Sequence, residues 1–568
     1  MSGETKYDIR PIRAPVASGF KLRAICRFVE SGLGGALLAP SLLAKMGVGR
    51  LRTSPADEPH LVAPPLPRQA GAIEQPAPAS VSDLAALAEP ARSAGEPAAE
   101  SAADFVRAYE EGRSDPVQVA EKLLVAIEQS EALSPPMRLL ICQDPDDLRA
   151  QARASAERYA EHRPLGPLDG VPVAVKDELD QRGYPSTVGT RFLGARGPVE
   201  RDAFAVGQLR AAGALLFGKA NMHEIGLGVT GLNPHFGPAR NPHDPHRATG
   251  GSSSGPAACV AAGLGPVALG ADGGGSIRIP AALCGAVGLK PTFGRVSETG
   301  AAPLCWSVAH VGPIASTARD AALGFGLIAG FDPADPHTAR QPPVRLDGFG
   351  QRELGGVKLG VFTPWFEDAD PPVVEACRRM VEKLCEAGAE LVEVEIAELS
   401  LLQVVHVVTI VSEMAASQLP YLDAHGRDYA HDTRLNLALA ARLRASDYVH
   451  AQRLRVGICH RFYELLERID ALLTPATACT APPISPAAAR SSESNLGLLA
   501  KIMRFAPAAN LTGLPAIAFP VGYDPDGLPI GMQAIGRPFC EHRLLQLAAL
   551  ADGLVERRTP RVHFRLLD

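Results

Sequence analysis

Residues 248–292 read ATGGSSSGPAACVAAGLGPVALGADGGGSIRIPAALCGAVGLKPT. Two Gly and Ser clusters, Gly250 to Gly255 and Gly273 to Ser276, are separated here by an Ala-rich helical run and a short apolar strand. Glycine loses more backbone entropy on folding than any other residue, so two dense clusters imply backbone amides brought close to something small and polar. Consecutive amides of Gly273, Gly274, Gly275 and Ser276 can curl into an anion-receiving nest, because three of the four carry no side chain.

Working outward, helical and strand patterns alternate along most of the chain. Asp115 and Pro116 read as the cap and first residue of a helix with Val117, Val119, Leu123, Leu124 and Ile127 on its apolar face. A strand ending at Lys176 follows, then a helix over 203–212 and a strand over 214–218. Beyond the glycine clusters, strands are expected over 357–362, 390–396, 469–474, 516–521 and 530–535, with helices over 373–387 and 541–555. Such alternation predicts an α/β fold built on a large, mixed, twisted sheet covered by helices on both faces.

The strings GGSSSG and GADGGGSIRIPAALCGAVGLKPT resemble the signature of the amidase signature family, serine hydrolases that cleave carboxamides with a Ser, Ser, Lys triad. Carried over by position, the resemblance places the nucleophile at Ser276, a bridging serine at Ser252 and the base at Lys176 of GVPVAVKDELD. It implies the amidase signature fold and no cofactor or metal. The chemistry stands beside it. A serine hydroxyl is a weak nucleophile until a base takes its proton, and Ser with Lys is an alternative to Ser with His. A lysine in that role must be neutral, which burial among apolar groups favours. Val171 to Val175 read as a buried strand that delivers Lys176 to the interior. An amide carbonyl under attack becomes an oxyanion, and the amides of Gly273, Gly274, Gly275 and Ser276 are the donors expected to meet it. Asp272 and Arg278 flank that loop as opposite charges and read as its braces.

Three other motifs carry less. Gly251, Ser253 and Gly255 satisfy G-x-S-x-G, but the apolar strand that a nucleophile elbow needs is replaced by NPHDPHRAT. Gly226, Gly228 and Gly231 satisfy G-x-G-x-x-G, yet prolines in the following LNPHFGPARNP forbid the helix of a dinucleotide site. Ser18 and Lys21 form S-x-x-K without its partner motifs.

The 568 residues, 46% hydrophobic, suffice for a large core, and the net charge of −6 is spread without a basic, aromatic-laced patch, so nucleic acid is not an expected partner. Ten scattered cysteines without C-x-x-C or metal spacing predict no zinc site and no disulfide framework, and they fit a cytoplasmic setting. Residues 1–60 read as a helical extension or cap whose apolar segment, 32–48, is broken by Pro40 and Lys45. It is too short to span a bilayer and too far from the start for a signal peptide, so it is expected to cover the main domain or touch a membrane surface. Residues 61–100, with seven prolines, twelve alanines and no aromatic residue, read as a linker. The catalytic domain is then 101–568.

Within the family the resemblance is greatest to the plant-type fatty acid amide hydrolases, through KANMHEIGLGVTG, ARNPHDPHRATGGSSSG, ASDYVHAQRLR and LPAIAFPVGYDPDGLPIGMQ. It implies hydrolysis of N-acylethanolamines and related lipid amides by a homodimer. A short-chain or aryl amidase, or one chain of an amidotransferase, is the alternative of the same family.

Overall fold

The computed structural model describes residues 7–12, 14–56, 78–80, 84, 86–87 and 100–568. The linker expected at 61–100 lies almost entirely outside the described residues. Eleven strands form one mixed sheet: β1 (Leu140–Cys142), β2 (Pro172–Lys176), β3 (Leu215–Ala220), β4 (Val267–Ala271), β5 (Val287–Lys290), β6 (Val311–Ala315), β7 (Lys358–Val361), β8 (Glu390–Glu393), β9 (Ala471–Pro475), β10 (Ala516–Tyr523) and β11 (Pro529–Gly536). Their order across the sheet is β8-β7-β9-β11-β10-β5-β6-β4-β2-β3-β1. β2 is parallel to β3 and β4, and β7 is parallel to β8 and β9. From β4 through β6, β5, β10 and β11 to β9, each strand is antiparallel to the next.

Strands β2, β3 and β4 are buried at every position, which is why they read as unbroken apolar runs rather than as alternation. Two central strands escaped the sequence reading. β5 is hidden inside the glycine-rich signature, and β6 carries Pro313 opposite Leu269, where a proline ordinarily argues against a central strand. Elsewhere local signals hold. Asp115 accepts the amides of Val117 and Gln118, with Pro116 as the first helical residue of Pro116–Ala132.

The parallel register Val175↔Leu269 brings the ends of β2 and β4 to the same edge of the sheet. Crevices outside the carboxyl ends of parallel strands are where open α/β sheets bind ligands. Over this edge lies an insert of three helices, Leu399–His425, His431–Ala440 and Ala445–Arg468. The first of these, hereafter the roof helix, is long and apolar enough to cross a bilayer by length and composition. In this fold its Leu401, Leu402, Val405 and Val408 pack instead into a buried cluster with Leu454, Ile458 and Phe505.

The N-terminal segment forms helices Gly19–Glu30, Gly32–Lys45 and Val48–Thr53. The second runs through Pro40 and ends at Lys45. An interior proline costs roughly 3 kcal/mol of helix stability. Here Ala39 and Leu43, buried on either side of it, hold the turn by tertiary packing. Leu22, Val29 and Ala39 pack against Leu435 and Leu439, while Leu43, Val48 and Leu51 join the core cluster beneath the roof helix. The opposite surface exposes Phe20, Leu33 and Leu37.

Candidate active site

β2 carries Lys176 to the interior, where its Nζ donates to Ser252 Oγ at 2.8 Å and to the Ala271 carbonyl at 3.0 Å. Glu178 Oε2 stands 3.1 Å from the same nitrogen. Residues 176 and 178, two apart where β2 passes into a turn, face one space. Ser252 follows a cis Gly251–Ser252 peptide. Lys176, Ser252 and Ser276 line a single cavity, together with Glu178 and Glu298 and the apolar side chains of Leu304, Ile410 and Met414. Burial pushes the Glu298 carboxyl well above the usual carboxylate range, with Asp335, Glu178 and Glu413 adding to it.

Ser253 is turned away from this cavity. Its hydroxyl donates to Ala271 O at 3.2 Å, which leaves the elbow motif without a nucleophile in the space. The G-x-G-x-x-G glycines lie where a short 3₁₀ turn, Glu224–Gly226, is followed by no helix before β-pairing at Arg240.

The loop from Asp272 to Ser276 is built around one carboxylate. Asp272 Oδ1 accepts the Gly275 amide at 2.6 Å, and Oδ2 accepts the Ile277 amide at 3.1 Å. Arg278 grips both oxygens, with Nε 3.0 Å from Oδ2 and Nη2 3.1 Å from Oδ1. Asn510 Nδ2 donates to the Asp272 carbonyl at 2.8 Å and to Oδ1 at 2.9 Å, and Gln533 accepts from Arg278. Burial opposes the charge on Asp272, but the Arg278 guanidinium and the Asn510 amide overcome it and hold this carboxyl well below the usual carboxylate range. Asp272 and Arg278 are thus the braces that their flanking positions suggested. One expectation changes: the Gly275 amide is committed inside the loop, so of the four amides considered as oxyanion donors, those of Gly273, Gly274 and Ser276 remain. Gly275 sits at φ +114°, and a Cβ there would lie 2.6 Å from Ala506 Cβ, so the loop tolerates no side chain.

His406 of the roof helix completes the loop, and no local signal in the sequence pointed to it. Its Nε2 lies 2.8 Å from the Gly273 carbonyl, which can only accept, so the ring donates there. A carbonyl and the following amide belong to one peptide plane and point opposite ways; a hydrogen bond on Gly273 O therefore fixes the direction of the Gly274 N–H. A Cβ at Gly274 would come within 2.9 Å of His406 Cε1, so the two are matched in shape as well. Burial lowers the His406 imidazole to about 4, partly offset by the Gly273 carbonyl. The folded value is depressed, so its contribution to stability is complete above about pH 6.5 and is lost as pH falls toward 4. His406→Leu is expected to lower kcat about tenfold or more with a smaller change in KM, and His406→Gln, which retains an N–H donor, to recover part of the loss. Steady-state kinetics of both variants check this; a leucine variant with wild-type kcat would remove His406 from the loop's function.

Among the described residues no cluster of three or more His, Cys, Asp or Glu could hold a metal ion. All ten cysteines are free thiols.

An edge-of-sheet cavity with a buried lysine on one serine, and a second serine at the end of an amide-lined loop, has the makings of an acyl-transfer hydrolase. Comparison with known proteins agrees with that class. The amidase profile matches residues 121–545. The chain is 39% identical over 579 residues to a fatty acid amide hydrolase of Oryza sativa subsp. indica, with 98% of this chain and 95% of the relative covered. It is 37% identical over 587 residues to a fatty acid amide hydrolase of Arabidopsis thaliana, covering 99% of this chain and 97% of that one. Among solved structures, a bacterial aryl acylamidase of the amidase signature enzymes superposes with a TM-score of 0.72 at 28% identity, covering 80% of this chain and 96% of its own. The chain belongs to the amidase signature family and is an amide-hydrolysing enzyme.

Proposed function

We propose that this enzyme hydrolyses fatty acid amides, N-acylethanolamines among them, to a fatty acid and an amine through an acyl-enzyme on Ser276. The observation that carries the reading is the buried Lys176–Ser252 hydrogen bond of 2.8 Å on the cavity shared with Ser276. As Ser276 Oγ attacks the amide carbon, its proton passes to Ser252 while Ser252 gives its own to the Lys176 amine. The amides of Gly273, Gly274 and Ser276 receive the oxyanion. Return of a proton through Ser252 to the departing nitrogen releases the amine. Water, deprotonated through the same relay, then frees the acid.

The lipid part of the proposal is supported by similarity to a fatty acid amide hydrolase along 98% of the chain, and by the apolar wall of Leu304, Ile410 and Met414. It extends to peripheral membrane contact through Phe20, Leu33 and Leu37, exposed at 83%, 74% and 66%. A homodimer, from the family resemblance, and a cytoplasmic location, consistent with the free thiols, complete it.

The test is kcat/KM for N-acylethanolamines from acetyl to long acyl chains. Each buried methylene contributes up to ~0.8 kcal/mol, about fourfold per carbon before ordering costs reduce it. The series is expected to climb. A flat or falling series would leave a short-chain or aryl amidase. Deleting residues 1–60 would uncover the core around Leu43, Val48 and Leu51, so the membrane arm uses the triple variant Phe20→Ser, Leu33→Ser, Leu37→Ser. It should slow hydrolysis of long-chain substrate presented in vesicles and spare a short soluble anilide; equal rates from vesicles would remove the membrane contact.

A further inference from the structure

The helices Ser254–Ala261 and Arg278–Cys284 begin beside Ser252 and Ser276, and both end at a second cavity. At 1.5 Å of rise per residue, roughly 12 Å of helix separates the two spaces. This second cavity is lined by Arg557, Arg558, His243, His563, Tyr523 and Thr559, and no carboxylate is among its lining residues.

His563 Nδ1 faces the carbonyl of Ala261, the last residue of its helix, at 3.2 Å, and Arg557 Nη2 donates to the carbonyl of Ser316, directly after β6, at 2.6 Å. Arg557 Nη1 and His563 Nε2 are both buried and have no hydrogen-bond partner among the described residues. Arg558 stacks on the Tyr523 ring with its Cζ 4.8 Å from the centroid, which presents a planar guanidinium at the rim. Burial lowers His243 to about 4, so it is a neutral wall and not a source of charge. Asp552 accepts the Ala318 amide on Oδ2 at 2.7 Å, keeps a buried Oδ1 without a hydrogen-bond partner and feels the Arg557 charge, but it does not line the space. A buried guanidinium nitrogen without an acceptor is costly, and an anion in the cavity would satisfy it.

We propose that this cavity is a binding site for a phosphate-type oxyanion, inorganic phosphate or a phosphomonoester, held between Arg557 and Arg558. Two guanidinium forks with the Thr559 hydroxyl offer donors from several directions, which suits a tetrahedral oxyanion. A soluble phosphomonoester and a phospholipid headgroup share this chemistry.

The test uses the full-length protein and reads binding, so it stands apart from the substrate proposed above. Calorimetric titration with inorganic phosphate, at ionic strength matched with chloride, is expected to give saturable binding that Arg557→Gln weakens about tenfold or more. Should that variant fail to fold, for want of its bond to Ser316, Arg558→Gln at the exposed rim is expected to weaken binding in the same sense. Glycerol 3-phosphate competing with phosphate would mark a soluble ligand. Retention on phosphatidic acid vesicles but not on phosphatidylcholine vesicles, lost in Arg558→Gln, would mark a headgroup. Absence of phosphate binding beyond the chloride control, or binding unchanged in both variants, would overturn the proposal.

Discussion

Ser276→Ala is expected to lower amide turnover by about 10⁴-fold or more, because loss of a nucleophile removes the covalent route and leaves only the binding and oxyanion contributions. The substitution should be nearly silent in stability. Ser276 is only 5% exposed, but its hydroxyl holds no part of the loop, which rests on Asp272, Arg278 and Asn510. Labelling with a fluorophosphonate followed by peptide mapping makes the assignment independent of rate. The adduct is expected on Ser276. Ser253 is buried with its hydroxyl on Ala271 O, so a label found there, or on Ser252, would transfer the nucleophile's role to another residue.

The second large effect is expected from Lys176→Ala, with turnover at neutral pH falling by about 10²–10⁴-fold, the range of a general base. Ser252→Ala should cost less than Ser276→Ala, since a water molecule can bridge part of a missing relay. Lys176 differs from Ser276 in one respect: its Nζ also stands 3.1 Å from the Glu178 carboxyl, which is almost as buried. Leaving a buried polar group without its partner typically costs about 1–3 kcal/mol, so Lys176→Ala should also lower the melting temperature. The double variant Lys176→Ala, Glu178→Gln separates the two effects. Stability should return with the double change while turnover stays low. A Lys176→Ala enzyme with near wild-type rate at pH 7 would exclude lysine as the base.

How far the sequence alone carries the argument differs between elements. Strands β2 and β4 were legible because complete burial leaves unbroken apolar runs, and helix Pro116–Ala132 because Asp115 and Pro116 act within one turn. The glycine clusters were legible because backbone freedom is a property of the residue itself. Strand β6 was not, since Pro313 is tolerated by its particular position in the sheet. Nor was the unbroken helix over Pro40, which depends on Ala39 and Leu43 meeting distant partners.

In the site the same division holds. Lys176, Ser252 and Ser276 sit in contiguous motifs, so the sequence by itself singled them out as candidates, with Asp272 and Arg278 as braces of the intervening loop. Only the tertiary structure decided that Lys176 meets Ser252, that Glu178 shares its space, and that the Gly275 amide is committed to Asp272 and withdrawn from the oxyanion. Only it brought His406, 133 residues from Gly273, onto that carbonyl, and Asn510, 238 residues from Asp272, onto the carboxylate. The physical reason is range. Turns, caps and apolar periodicity act over a few residues and are written locally, whereas the direction of an amide in a glycine loop is set by whichever distant side chain reaches its carbonyl.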